Sequence, residues 1–160
     1  MTEQRLLQLL RENNLKITTA ESCTGGLVAG LLCDIAGISA YFEEGYVTYS
    51  ENAKKKNLSV SQATLDAYGV VSVETAIEMA KGALIKAGAN CSVATTGVAG
   101  PTGGTLKTPV GCVCFAWCVY DEVYTERVLF SGTRMEVRMQ AATYALEKLC
   151  DYIEKNIKEK

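Results

Sequence analysis

Apolar residues recur at helical spacing near the N-terminus. Leu6, Leu7, Leu9 and Leu10 fall between polar positions, which predicts a helix over residues 2–14. Leu15 to Ala20 is a short run rich in Ile and Thr and reads as a strand. After the polar and glycine-rich stretch 21–26, the apolar run from Leu27 to Ile35 predicts a second helix, ended by Asp34 to Gly37. Gly45 to Ser50 carries Tyr46, Val47 and Tyr49 and predicts a second strand. Glu51 to Asn57 shows no apolar periodicity and reads as a polar segment. Residues 61–68 predict a short helix. Ser72 is placed to cap a longer one that runs to Ala87, with Glu74 in its first turn and Gly88 beyond its end.

The second half turns to strands. Cys91 to Thr96 predicts a third strand, leading into the loop Gly97-Val98-Ala99-Gly100-Pro101-Thr102-Gly103-Gly104-Thr105, too rich in glycine for regular structure. Val110 to Tyr120 and Glu122 to Ser131 predict a hairpin about Asp121. Thr133 opens a final helix, with Val137, Ala141, Ala145, Leu149 and Ile153 on one stripe. Helices interleave with strands, so the expected fold is α/β, a mixed sheet covered by helices on both faces. The hairpin supplies its antiparallel part.

Composition sharpens this picture. A chain of 160 residues has the size of one domain, and 48% hydrophobic with 21% charged residues is a globular balance. Residues 1–160 are therefore expected to form a single domain. The apolar runs are too short for a membrane span, and the charged opening Met1-Thr2-Glu3-Gln4-Arg5 is unlike a signal peptide. A net charge of −2 gives no field that would draw the chain to nucleic acid; Lys54-Lys55-Lys56 is a local cluster. The seven cysteines include no Cys-x-x-Cys pair and are expected as reduced thiols in a cytoplasmic protein. Cys112, Cys114 and Cys118 share one parity of a strand and so one face, as small core residues.

The chain has no histidine. That excludes Ser-His-Asp and Cys-His catalysis and every imidazole-ligated zinc site. Proton transfer then falls to Lys, Tyr, Cys, Asp, Glu or water. No metal or other cofactor is expected.

Three constellations carry chemistry. Thr19-Ala20-Glu21-Ser22-Cys23-Thr24-Gly25-Gly26 is a strand-to-helix turn, which exposes its tip and gathers free N–H groups. Ser22 stands where such a turn presents a nucleophile, and Thr24, Gly25 and Gly26 stand where an oxyanion or phosphate binds. Ser22 or Thr24 serves equally as a simple helix cap. Cys23 is a rival nucleophile, expected to pack inward. In Tyr49-Ser50-Glu51-Asn52-Ala53-Lys54, a lysine replaces histidine as base only if burial or a neighbouring cation lowers its pKa. On its own the lysine run reads as a solvated face. The Gly97–Thr105 loop, with Thr95 and Thr96 at its edge, suits close backbone approach to a ligand at strand ends, against the alternative of a surface turn.

Together, Thr19 to Gly26, Tyr49-Ser50 with Lys54, Gly69 to Ser72, and Gly97 to Pro101 with Gly103-Gly104 resemble the C-terminal domain family of the CinA protein, over residues 4–153. The resemblance implies a three-layer α/β/α sandwich. Free-standing members of this family are nicotinamide-nucleotide amidases. It therefore implies hydrolysis of nicotinamide mononucleotide to nicotinate mononucleotide and ammonia. It further implies Ser22 as nucleophile and Lys54 as base. Tyr49 is expected as a relay for the proton between them. Glu21, Thr24, Gly25, Gly26, Thr96, Gly97, Gly100, Gly103 and Gly104 form the expected oxyanion and substrate site, and Arg134 and Arg138 the expected phosphate contacts. A homodimer through the last helix or the hairpin is expected by analogy. Thr102 and Thr133 stand where many relatives carry Asp, so a non-catalytic module binding a pyridine nucleotide or other phosphorylated ligand is the alternative. A partner-binding role linked to DNA uptake or damage is a third. The CinA N-terminal domain, and with it that domain's separate activity, is expected to be absent.

Overall fold

The computed structural model describes residues 1–160. Five strands form one sheet in the order β2-β1-β3-β4-β5. They are β1 (Ile17–Glu21), β2 (Tyr46–Val47), β3 (Cys91–Gly97), β4 (Cys112–Val119) and β5 (Glu122–Leu129). β2, β1 and β3 run parallel; β4 and β5 are antiparallel additions. Six α-helices accompany them: α1 (Thr2–Glu12), α2 (Leu27–Cys33), α3 (Glu51–Leu58), α4 (Gln62–Tyr68), α5 (Val73–Ala87) and α6 (Arg134–Lys158). No helix is long and apolar enough to cross a membrane.

The parity of the strands sorts the helices into two layers. On one face, Val93, Val113, Phe115, Trp117 and Val119 meet α1, α2 and α6 in the larger core, which includes the predicted stripe Val137, Ala141, Ala145, Leu149 and Ile153. On the other, Ala20, Ala94, Ala116 and Cys118 meet Leu58, Leu65, Met79, Ala80 and Ala83 of α3, α4 and α5. The small residues on this second face let α5 lie close across β1, β3 and β4. The result is the expected three-layer sandwich. β4 is buried along its whole length, so its cysteines are core residues on the α5 side, as their shared parity indicated.

The caps follow the sequence. Ser72 Oγ accepts from Thr75 N, and Gly88 ends α5 with φ +61. Thr133 and Glu136 form a reciprocal capping box at the start of α6. Two expectations are corrected. The predicted strand Gly45–Ser50 narrows to Tyr46–Val47 at the sheet edge. The polar segment after it is a helix: Ser50 Oγ accepts from Ala53 N and starts α3, whose inward face is only Lys54 and Leu58. A stripe with a lysine in place of an apolar residue carries no hydrophobic signal, and the cap was its only mark.

Candidate active site

Ser22 follows directly on the C-terminus of β1, and the Gly97–Thr105 loop follows β3, its parallel neighbour. The chain leaves β1 for β2 on one side and returns to β3 on the other, so these two strand ends flank a switch in strand order, where open α/β sheets hold their ligands. A cleft of about 320 Å³ lies there. Ser22, Cys23, Tyr49, Thr96, Thr102 and Arg134 line it together with Val70, Val71 and the loop from Gly97 to Gly100 and Gly103.

Lys54 is 1% exposed, and its Nζ donates to Ser22 Oγ at 2.9 Å and to the carbonyl oxygen of Thr48 at 2.6 Å. Burial lowers its pKa from 10.5 to about 8. No carboxylate lies within ion-pair distance to hold its charge. A buried amine lowered in this way is neutral in about a tenth of molecules at pH 7 and in about half at pH 8. An amine so placed can accept the proton of the serine hydroxyl it contacts.

Glu21 does not enter the cleft. It is 1% exposed, and its Oε1 accepts from Thr24 Oγ1 (2.7 Å), Val28 N (2.8 Å) and Gly26 N (3.2 Å), while Oε2 accepts from Ala29 N (3.1 Å). The carboxylate thus takes up the free N–H groups at the start of α2. Thr24 is equally internal, its Oγ1 also meeting Thr95 Oγ1 at 2.8 Å. Gly25 N donates to the Ser22 carbonyl. So the N–H groups of Gly25 and Gly26, expected to serve the oxyanion, are already committed. The N–H groups of Cys23 and Thr24 have no partner within the chain. Cys23 packs into the larger core, and burial pushes its thiol up to about 12, which disfavours the thiolate form near neutral pH.

The remaining residues divide between the cleft and its supports. Thr96 lines the cleft and donates its hydroxyl to the carbonyl of Val70, tying the loop before α5 to the end of β3. Gly97, Gly100 and Gly103 line it too; Gly104 packs against Val110 behind them. Tyr49 is 60% exposed at the rim, and its hydroxyl accepts from Arg134 Nη2 at 2.8 Å, so it does not bridge Lys54 and Ser22. Arg134 Nη1 donates to the Gly100 carbonyl at 2.7 Å. Arg138 turns away from the cleft and donates to the carbonyls of Cys23 and Thr24. The sequence did not point to the Thr48 carbonyl or to Val70 and Val71. A backbone oxygen leaves no mark in residue type, and the two valines read as ordinary apolar residues before a helix.

A mixed sheet with a buried lysine bonded to a serine hydroxyl at the ends of its parallel strands, in a chain without histidine, defines the class: an α/β protein with a paired serine and lysine beside an open cleft. Comparison with known proteins gives the family. The model of the CinA C-terminal domain matches residues 1–153, and the chain belongs to that family. It is similar to the nicotinamide-nucleotide amidohydrolase PncC of Escherichia coli K12, 47% identical over 93% of this chain and 95% of that protein. The CinA-like protein of Kosmotoga olearia is 46% identical over 91% of this chain, which spans only 35% of that longer protein. Among solved structures, a CinA superfamily protein from Klebsiella pneumoniae superposes with a TM-score of 0.92 at 38% identity, covering 96% of each chain. The competence/damage inducible protein CihA from Agrobacterium tumefaciens gives 0.86 at 41% identity, covering 92% of this chain and 93% of that one.

Proposed function

We propose that the protein hydrolyses the carboxamide of nicotinamide mononucleotide, giving nicotinate mononucleotide and ammonia. The observation that carries this is the buried Lys54 Nζ at 2.9 Å from Ser22 Oγ, beside a cleft of about 320 Å³ that Ser22 lines. The relatives of matching length named nicotinamide-nucleotide amidohydrolases supply the substrate.

Neutral Lys54 takes the Ser22 proton directly, because the two atoms are already in hydrogen-bond contact and Tyr49 is not between them. Ser22 Oγ attacks the amide carbon. The Cys23 and Thr24 N–H groups, or those of the Gly97–Gly104 loop, receive the developing oxyanion, each donor worth about 3 kcal/mol. The tetrahedral intermediate collapses, and the leaving nitrogen departs as ammonia with the proton from Lys54. Water, deprotonated by the same amine, then cleaves the ester and frees the carboxylic acid and Ser22. Arg134 at the rim is the cation for the substrate phosphate, and Tyr49 steadies it.

One observation favours a second reading, a binding module without turnover: Thr102, a position where the family resemblance implies Asp, lines the cleft. Thr133, the other such position, caps α6, a role threonine and aspartate share, and it carries no weight here. Ammonia release from nicotinamide mononucleotide by the purified protein, without added metal, tests the amidase. Calorimetric binding of the nucleotide with no ammonia formed would establish the module instead.

A further inference from the structure

The proposed mechanism uses Arg134 and leaves the second arginine of the same helix face without a task. Arg138 lies one turn further along α6 and is half-buried. Its Nε donates to the carbonyl of Cys23 at 3.0 Å and its Nη2 to that of Thr24 at 3.2 Å. No carboxylate lies within ion-pair distance of it. The guanidinium is therefore spent on two consecutive backbone carbonyls of the turn that presents Ser22.

Those carbonyls set the direction of the opposing N–H groups. A trans peptide is planar, with C=O and N–H on opposite sides. Holding the Cys23 carbonyl toward α6 points the Thr24 N–H away from α6. The Ser22 carbonyl is held by Gly25 N at 3.0 Å, which fixes the Cys23 N–H in the same manner. The Thr24 carbonyl also accepts from Leu27 N at 3.1 Å. Glu21 meanwhile occupies the N–H groups of Gly26, Val28 and Ala29. Two opposite charges thus grip the turn, the carboxylate on its donors and the guanidinium on its acceptors. What they leave uncommitted is the N–H pair of Cys23 and Thr24. Gly25 keeps the clamp in place: its φ is +58, and a Cβ there would come within 3.0 Å of Arg138 Nη2.

We infer that Arg138 is a positioning residue, which acts through the turn backbone to hold the Cys23 and Thr24 N–H groups in aim while charge develops at the carbon attacked by Ser22. The inference rests on the amidase reading for its reaction and gives Arg138 a role other than phosphate contact. Arg138→Met keeps the stem and removes both donors; Arg138→Lys keeps the charge but cannot span both carbonyls. Each variant is measured twice. The first readout is kcat and KM for ammonia release from nicotinamide mononucleotide. The second is the rate at which a small uncharged fluorophosphonate labels Ser22, where Oγ displaces fluoride from phosphorus and Lys54 takes the hydroxyl proton. This probe has no nucleotide phosphate, so it reports only on the hydroxyl and the N–H groups around it. Arg138→Met lowers kcat and the labelling rate together, by roughly 10²-fold, with KM little changed. Arg138→Lys falls between it and the wild type, and it carries the test if the methionine variant does not fold. Unchanged labelling with a raised KM makes Arg138 a phosphate ligand and overturns the inference. Wild-type labelling without ammonia release removes the amidase reading and leaves the clamp to be judged by labelling alone. A wild type not labelled at Ser22 overturns both.

Discussion

At the scale of single residues, the proposed chemistry turns on Lys54, and burial sets the protonation of Lys54. Its lowered pKa makes the rate pH-dependent: kcat/KM rises as pH increases through about 8 and then levels, as a rate profile will show. Stability carries the same signature. Between about 8 and 10.5 the unfolded chain holds a proton at Lys54 that the folded chain has released, so stability rises with pH across that window. Compared with Lys54→Met, in which this titration is absent, the wild type gains about 3 kcal/mol over the window, measured by denaturant unfolding at each pH. Ser22→Ala lowers turnover by at least about 10³-fold while near-UV circular dichroism stays unchanged. Ser22 was legible as the tip of a strand-to-helix turn. Lys54 was not, because lysine in a run of three looks solvated and its burial is a tertiary fact; only the resemblance singled it out. The role of Glu21 was hidden for a related reason, since its partners are backbone N–H groups up to eight residues away.

At the scale of elements, α3 exists to place Lys54, and it is held by a close approach that residue type alone does not reveal. Gly82 of α5 lies against the end of α3: a Cβ there would stand 1.9 Å from the Leu58 carbonyl oxygen. Gly82→Ala must push α3 outward, and Lys54 with it. We expect a loss of about 1–3 kcal/mol in stability and a fall in kcat, read from one denaturant melt and one rate assay. A cap is milder. Thr133→Ala costs about 1 kcal/mol by removing the Oγ acceptor for Glu136 N, whereas Thr133→Asp leaves stability nearly unchanged. Elements with strong periodicity or a clear cap were legible: α5 to within a residue at both ends, and α6 at its start. α3 and the two-residue β2 were not, because neither has an apolar period of its own and both are held by what they pack against.

For the molecule as a whole, the mixed sheet places the candidate cleft at the ends of its parallel strands while the hairpin and the long final helix complete the core. Trp117 is wholly buried at the centre of the larger core, stacks on Phe115 and donates its indole N–H to the Ala145 carbonyl. Trp117→Ala costs about 3–5 kcal/mol in a denaturant melt, the loss for emptying such a site. The layered architecture was legible from the alternation of helix and strand patterns. The pairing of Ser22 with Lys54 was not, since thirty-two positions of chain separate them and only the return of the chain past β2 brings them together. That pairing is the centre of the account. It is tested most directly by the initial rate of ammonia release from nicotinamide mononucleotide, compared for the wild type and Ser22→Ala from about pH 6 to about pH 10. With Lys54 as the base for Ser22, the wild-type rate climbs through a single ionisation near pH 8 and the serine variant stays at background throughout. A serine variant that keeps the wild-type rate, or a wild type that releases no ammonia at any pH, would contradict it.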